Sequence, residues 1–226
     1  MNRPLLAIET STTTGSIAVG FDSAAVEVKL APPVRHAEAL LPAIDYALDA
    51  ARVDRRELGG IVVGGGPGSF TGLRIAAATA KALVHALDVP LFAASGLLAQ
   101  ASALADAGAP VCALFDARRG EVYAACYAFD GGAPSVLLEP MVGDALDVVE
   151  RLRALDPVYV GEGALKNAER LAQAGARAGG VREPFPSAAA LLALVAADPD
   201  AYRVAQPAAW QPLYVRASSA ERGLSA

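Results

Sequence analysis

Two stretches bring together side chains that could do chemistry. Glu9, Ser11 and Thr12 place a carboxylate and two hydroxyls at the end of a compact apolar run that starts at Leu5. Gly64-Gly65-Gly66-Pro67-Gly68-Ser69-Phe70-Thr71-Gly72-Leu73-Arg74 follows a second apolar run, Ile61 to Val63, and opens an Ala-rich segment reaching Leu87. A strand that runs through a glycine loop into a helix aims backbone N–H groups at an anion. The Ser69 and Thr71 hydroxyls can also cap that helix. Gly66, Gly68, Ser69 and Thr71 are therefore candidates for an anion or a nucleotide phosphate. From the first stretch, Glu9, Ser11 and Thr12 could hold a phosphate or a hydrated metal, or could simply satisfy the backbone of a turn.

The glycine loop fails three catalytic patterns at named positions. Walker A needs Gly-x4-Gly-Lys-Ser/Thr, and no lysine lies between Gly64 and Arg74. Counted from Gly66 and Gly68, the third glycine of the dinucleotide fingerprint would fall on Thr71. Around Ser69, the positions that a nucleophile elbow fills with glycine hold Pro67 and Thr71. What survives is a generic anion site, or a tight turn that packs a helix close to a sheet. His36 and His85 lie on different elements without metal-ligand spacing, so no metal is expected. Asp116 and Glu121 flank the Arg118-Arg119 turn and read as a solvated hairpin end rather than as paired catalytic carboxylates.

The elements that position these residues follow from periodicity. Leu5 to Glu9, Ser16 to Gly20 and Ala24 to Leu30 read as three strands on short connections, hence an antiparallel meander, with a turn at Asp22-Ser23. Leu40, Leu41, Ile44, Leu48 and Ala51 recur at helical spacing. Pro42 should lie in the first turn of that helix or kink a preceding one. Ile61 to Val63 is a fourth strand, and the helix from Gly72 to Leu87 is apolar nearly all round, which calls for cover on more than one side. Pro90 to Ala93 is a fifth strand, and Leu97 to Ala107 a helix that stops at Gly108. After Ala109-Pro110 come a hairpin (Val111 to Asp116, Glu121 to Tyr127), a strand near Val136 to Glu139 and a helix from Asp144 to Leu155. A strand at Val158 to Val160, a helix from Ala164 to Ala174 and an Ala/Leu helix capped by Ser187 complete the pattern, and the last residues look frayed. The order βββαβαβα indicates an α/β fold of two ribonuclease-H-like modules of the actin/sugar-kinase/Hsp70 type. Residues 1–108 form the first module and 109–226 a reduced second one.

Composition excludes several classes. The chain has 226 residues, 54% of them hydrophobic and 19% charged, so it can bury a sizeable core. Its net charge is −5 and its lysines are Lys29, Lys81 and Lys166 alone, which makes it a poor nucleic-acid binder in isolation. No signal peptide or membrane span is evident, and a soluble, cytoplasmic protein is expected. Cys112 and Cys126 fall on two adjacent strands and read as buried free thiols.

Five stretches, in this order, carry a family resemblance: Ile8-Glu9-Thr10-Ser11-Thr12, His36-Ala37-Glu38-Ala39-Leu40-Leu41-Pro42, Gly66 to Arg74, Asp116-Ala117-Arg118-Arg119-Gly120-Glu121-Val122-Tyr123 and Pro212-Leu213-Tyr214-Val215-Arg216. With them the chain resembles the TsaB (YeaZ) family along essentially its whole length. The resemblance implies a non-catalytic, activating subunit of the complex that puts a threonylcarbamoyl group on adenosine 37 of tRNAs reading ANN codons. It implies TsaD, a paralogous metalloenzyme, as heterodimer partner, TsaE as the ATPase that joins them, self-association as a homodimer, and tRNA met only through the complex. ATP, ADP and metal would belong to the partners. TsaD-like chains carry a His-x3-His pair after the fifth strand, where this chain has Gly96 and Gln100, neither an imidazole. In the family the first two helices form the partner contact. Leu40, Ile44, Leu48, Ala76, Thr79, Ala80 and Leu83 are accordingly expected to form it here. The alternative is a nucleotide-binding, kinase-like enzyme that uses the Glu9/Ser11/Thr12 turn and the glycine loop.

Overall fold

A computed structural model describes residues 3–21, 24–33, 36–131, 133–178 and 185–216. The expected turn at Asp22-Ser23 and the frayed end at 217–226 lie outside these residues. The first sheet is built from β1 (Leu5–Glu9), β2 (Gly15–Phe21), β3 (Ala24–Leu30), β4 (Gly60–Gly64) and β5 (Leu91–Ala94), in the order β3-β2-β1-β4-β5. β1, β2 and β3 form the antiparallel meander, and β4 and β5 add in parallel to β1. Every residue of β1 and β4 is buried, because both faces of the sheet are covered. Alternation sorts the side chains: Leu6, Ile8, Ile17, Val19, Ile61 and Val63 point to one core, Leu5, Ala7, Ala18 and Val62 to the other.

Helices α1 (His36–Ala51) and α2 (Phe70–Leu87) cover the first of these faces. α1 starts at His36 and runs through Pro42, so of the two expected alternatives helix precedes the proline. Pro42 is on the exposed side of the helix, so the carbonyl that loses its N–H partner can turn to water. α2 starts at Phe70, where the Ser69 hydroxyl accepts the Gly72 N–H at 3.3 Å, and ends at Asp88 in the left-handed conformation. Helix α3 (Gly96–Ser102) is shorter than expected; turns replace the helix from Ala103 onward.

The second sheet contains β6 (Val111–Arg118), β7 (Glu121–Ala128), β8 (Ser135–Asp144), β9 (Val158–Val160) and β10 (Arg177–Ala178), in the order β10-β9-β6-β7-β8. Taken in chain order, both sheets place their third, second, first, fourth and fifth strands side by side. Helix α4 (Ala145–Leu152) is capped by Asp144, whose carboxylate accepts the Leu146 N–H at 2.8 Å. The single helix expected from Ala164 to Ala174 is two short ones, α5 (Glu162–Lys166) and α6 (Ala168–Gln173), divided at Asn167. The amide of Asn167 donates to the Gly163 carbonyl at 2.9 Å, the local competition with helical bonding that makes Asn a breaker.

Helix α7 (Ala188–Ala197) follows the second sheet in the chain and packs on the first. Ala188, Leu191, Leu192 and Val195 close the core over Leu5, Ala7, Ala18, Val62 and Phe92. Its N-terminus is fixed there by the Ala188 N–H on Ser16 Oγ (2.8 Å) and the Ser187 hydroxyl on Glu27 Oε1 (2.8 Å). A short helix α8 (Pro199–Tyr202) follows, and the chain then runs back past the first sheet. The Val204 N–H donates to Leu91 O, the Leu213 N–H to Gly65 O, and Arg216 reaches Glu121 and the Ala117 carbonyl on the second sheet's hairpin. No helix among the described residues is long and apolar enough to cross a membrane.

Candidate functional site

Glu9, at the end of β1, is fully buried. Its Oε1 accepts the Ser11 N–H at 2.5 Å, while Oε2 has no hydrogen-bond partner among the described residues. Burial pushes the carboxyl above the ordinary value, against the opposing pull of its Ser11 contacts. The carboxyl fills space that two glycines leave open. A Cβ on Gly64 would press on Oε2 and stand 2.8 Å from Cδ, and one on Gly96 would lie 2.9 Å from Oε2 and 3.2 Å from Ser11 Oγ. Gly96 is thus a position with no room for a side chain while Glu9 stays in place.

The glycine loop closes on the same turn. The Ser69 N–H donates to Ser11 O at 2.7 Å, and the Thr10 hydroxyl donates to Gly72 O at 2.8 Å. A Cβ on Gly68 would fall 2.6 Å from Ser11 Cβ, and one on Gly72 would strike the Thr10 carbonyl. Gly66 has a φ of 87° and meets the returning segment, whose Leu213 carbonyl would sit 2.8 Å from a Cβ there. Two of the loop's N–H groups are therefore spent on internal carbonyls: that of Gly65 on Ala94 and that of Ser69 on Ser11. Of the candidates for an anion, Glu9, Ser11, Gly68 and Ser69 come together. Thr12 turns its hydroxyl to the Thr14 carbonyl at 2.8 Å, and Thr71 is exposed on the first turn of α2. His36 ties α1 to this turn, its Nε2–H donating to Thr12 O at 3.2 Å, with Gly15 leaving room for the ring. Among the described residues no group of three or more His, Cys, Asp or Glu side chains is placed to hold a metal ion.

Two residues without an assigned role from the sequence join the picture. Glu162, in the Gly161-Glu162-Gly163 turn after β9, is 6% exposed and accepts the Thr13 hydroxyl at 3.1 Å, linking the two sheets. Burial raises its carboxyl above the usual range as well. The signal for it was a glycine-flanked carboxylate after a strand, the counterpart of the loop after β4. Asp116 and Glu121 do not pair as catalytic carboxylates do: Lys166 meets Asp116 at 2.5 Å and Arg216 meets Glu121.

The expected docking residues need a correction. Leu40, Ile44, Leu48, Ala76 and Ala80 are buried in the chain's own core against the first sheet. Thr79 and Leu83 are partly exposed. The outward faces of α1 and α2 carry Leu41 (60% exposed), Tyr46 (65% exposed), Ala78 and Ala82 instead. On an Ala-rich helix the apolar period does not tell the inward stripe from the outward one.

A family model described as "TsaD: tRNA N6-adenosine threonylcarbamoyltransferase" matches residues 33–203. The tRNA threonylcarbamoyladenosine biosynthesis protein TsaB of Escherichia coli is 30% identical over 69% of this chain and 69% of its own length. The chain belongs to the TsaB (YeaZ) family. The TsaB of Bacillus subtilis is 36% identical over 62% of this chain and 60% of its own length. A Pseudomonas aeruginosa structure, described as an uncharacterized protein with similarity to the peptidase YeaZ, superposes with a TM-score of 0.79 at 31% identity. That superposition covers 95% of this chain and 100% of the other. A TsaD-type model matching a TsaB-family chain fits two paralogous families.

Proposed function

We propose that this chain is the non-catalytic, activating subunit of a complex that transfers a threonylcarbamoyl group to adenosine 37 of tRNAs reading ANN codons. It binds TsaD through the outward faces of α1 and α2, and TsaE joins the pair. ATP, ADP and the metal are held by those partners, tRNA is reached through the complex, and the assembly is cytoplasmic. The two sheets are two ribonuclease-H-like modules, a reading supported by their shared strand order. The names of the TsaB relatives support the pathway.

The observation that carries the docking role is the exposure of Leu41 and Tyr46 on α1 and of the small Ala78 and Ala82 on α2. Large apolar side chains beside a shallow alanine surface let a partner helix approach closely. A stable contact would bury about 800 Å² per partner. The non-catalytic reading draws support from the loop, whose Gly65 and Ser69 N–H groups are held by the internal carbonyls of Ala94 and Ser11. Ala78→Arg and Ala82→Arg test it, since both positions are exposed and tolerate a long side chain without disturbing the core. Sedimentation with TsaD should show lost association while the variants keep their melting temperature. Undiminished association of both folded variants would reject this face. Mass spectrometry of tRNA nucleosides from a depleted strain tests the pathway separately.

A further inference from the structure

At the other end of the first sheet, one strand length from Glu9 (roughly 16 Å), lies a groove of about 590 Å³. Arg3, Phe21, Arg52, Val53, Arg56 and Glu57 line it. The three arginines are scattered in the sequence, and the fold gathers them: Arg3 precedes β1, Arg52 follows α1, and Arg56 lies in the single helical turn that leads to β4. Arg3 is held in place, donating from Nε to Glu57 O at 3.0 Å and from its terminal nitrogen to Arg56 O at 2.6 Å. Glu57, the carboxylate of the lining, is occupied locally by the Asp54 N–H at 2.9 Å. Arg52 has a φ of 54°, in the left-handed region that non-glycine residues seldom adopt. Its neighbour Arg55 faces away, toward Asp45 at 3.9 Å. Phe21 ends β2 with 48% of its surface exposed, while the other residues of that strand are buried.

We infer that this groove binds a nucleotide phosphate, with Arg3, Arg52 and Arg56 around the phosphate and the base stacked on Phe21. Guanidinium groups match phosphate geometry, and an aromatic face takes any base, which together is the chemistry of single-stranded nucleic-acid contacts. An acidic peptide would use the arginines and leave the exposed ring without a purpose. The negative net charge limits such a contact to a local one, two or three phosphates rather than an extended track. This inference is independent of the α1–α2 face and of the partner assigned to it.

The test uses the full chain, 5′-AMP, inorganic phosphate and a six-nucleotide oligoadenylate, with binding followed by calorimetry or fluorescence anisotropy at several salt concentrations. Two or three single-strand phosphate contacts give a log–log salt slope of about −1.4 to −2 for the oligonucleotide. Arg52→Ala and Arg56→Ala should each weaken binding about tenfold, and Phe21→Ala should weaken AMP and oligoadenylate but not inorganic phosphate. Arg55→Ala removes the same charge outside the groove and should leave the affinity within about twofold. Binding of AMP and oligoadenylate alike assigns a mononucleotide site; binding of the oligonucleotide alone assigns an RNA strand. Equal effects of Arg55→Ala and Arg52→Ala, affinity indifferent to Phe21, or no binding of either nucleotide would overturn the inference.

Discussion

Replacing Gly64 by Ala places a methyl group where the Glu9 carboxyl now sits, against Oε2 and 2.8 Å from Cδ. That carboxyl is fully buried and cannot swing into solvent, and its Oε1 is pinned by the Ser11 N–H at 2.5 Å. Overpacking in a closed core costs about 1–3 kcal/mol, and a displaced buried acceptor adds about 1 kcal/mol more. For a chain of this size each kcal/mol lowers the melting temperature by roughly 2–4 °C, so Gly64→Ala should melt about 4–16 °C early. Glu9→Ala alone loses the Ser11 contact and leaves a small void, an effect of about 1–3 kcal/mol. Combined, the two changes should not add, because the alanine at 64 then grows into space that Glu9 has vacated. Urea unfolding of the four proteins gives the coupling directly, expected at about 1–3 kcal/mol in the direction of rescue. Effects that add to within about 0.5 kcal/mol would refute the claim that Gly64 is a glycine for the sake of Glu9.

The same carboxyl sets a pH dependence. Burial lifts the folded-state pKa of Glu9 above 4.5, so the folded chain holds a proton that the unfolded chain has already released, and stability falls as pH rises from about 4.5 through the folded value. Glu9→Gln has no such proton to lose, so its advantage over the native chain should grow across that window; a pH-independent difference in urea midpoints would count against it. Thr13→Val removes the hydroxyl that reaches Glu162 at 3.1 Å between the sheets, for an expected loss of about 1 kcal/mol and about 2–4 °C in melting temperature. Cys112 and Cys126 face each other across β6 and β7 as buried free thiols, and burial raises the Cys112 thiol. Neither should react with a thiol reagent in the native chain, and both should react in denaturant; prompt native labelling would contradict this burial.

The local elements were largely legible in the sequence because their signals are local. The three opening strands alternate or run apolar between turn residues, and the helices at Phe70 and Ala188 announce themselves by capping Ser69 and Ser187. The sequence left the start of α1 open between two alternatives at Pro42, because a proline signals a lost hydrogen bond but not whether the helix continues through it. Here it does, with Pro42 on the exposed side. The apolar period alone did not separate the two faces of α1: Leu40, Ile44 and Leu48 mark the inward stripe, while Leu41 and Tyr46, one or two positions on, face outward. The tight fit of Gly64 and Gly96 around Glu9 had no sequence signal beyond the residue types, since three elements far apart in the chain meet there. The arginine groove was hidden in the same way: Arg3 and Arg56 are neighbours only after β1 and β4 have paired.

Helix α7 gives the order of synthesis a physical meaning. The face of the first sheet that carries Leu5, Ala7, Val62 and Phe92 stays largely bare until Ala188 to Ala197 have been made, long after β5 is complete. At translation rates of about 5–20 residues per second, the hundred or so intervening residues leave that face open for roughly 5–20 s. The first sheet therefore lacks part of its cover until α7 has been made. A nascent chain stalled between the two sheets should recruit chaperones and resist folding. Supplying the α7 segment in trans is the expected way to close it.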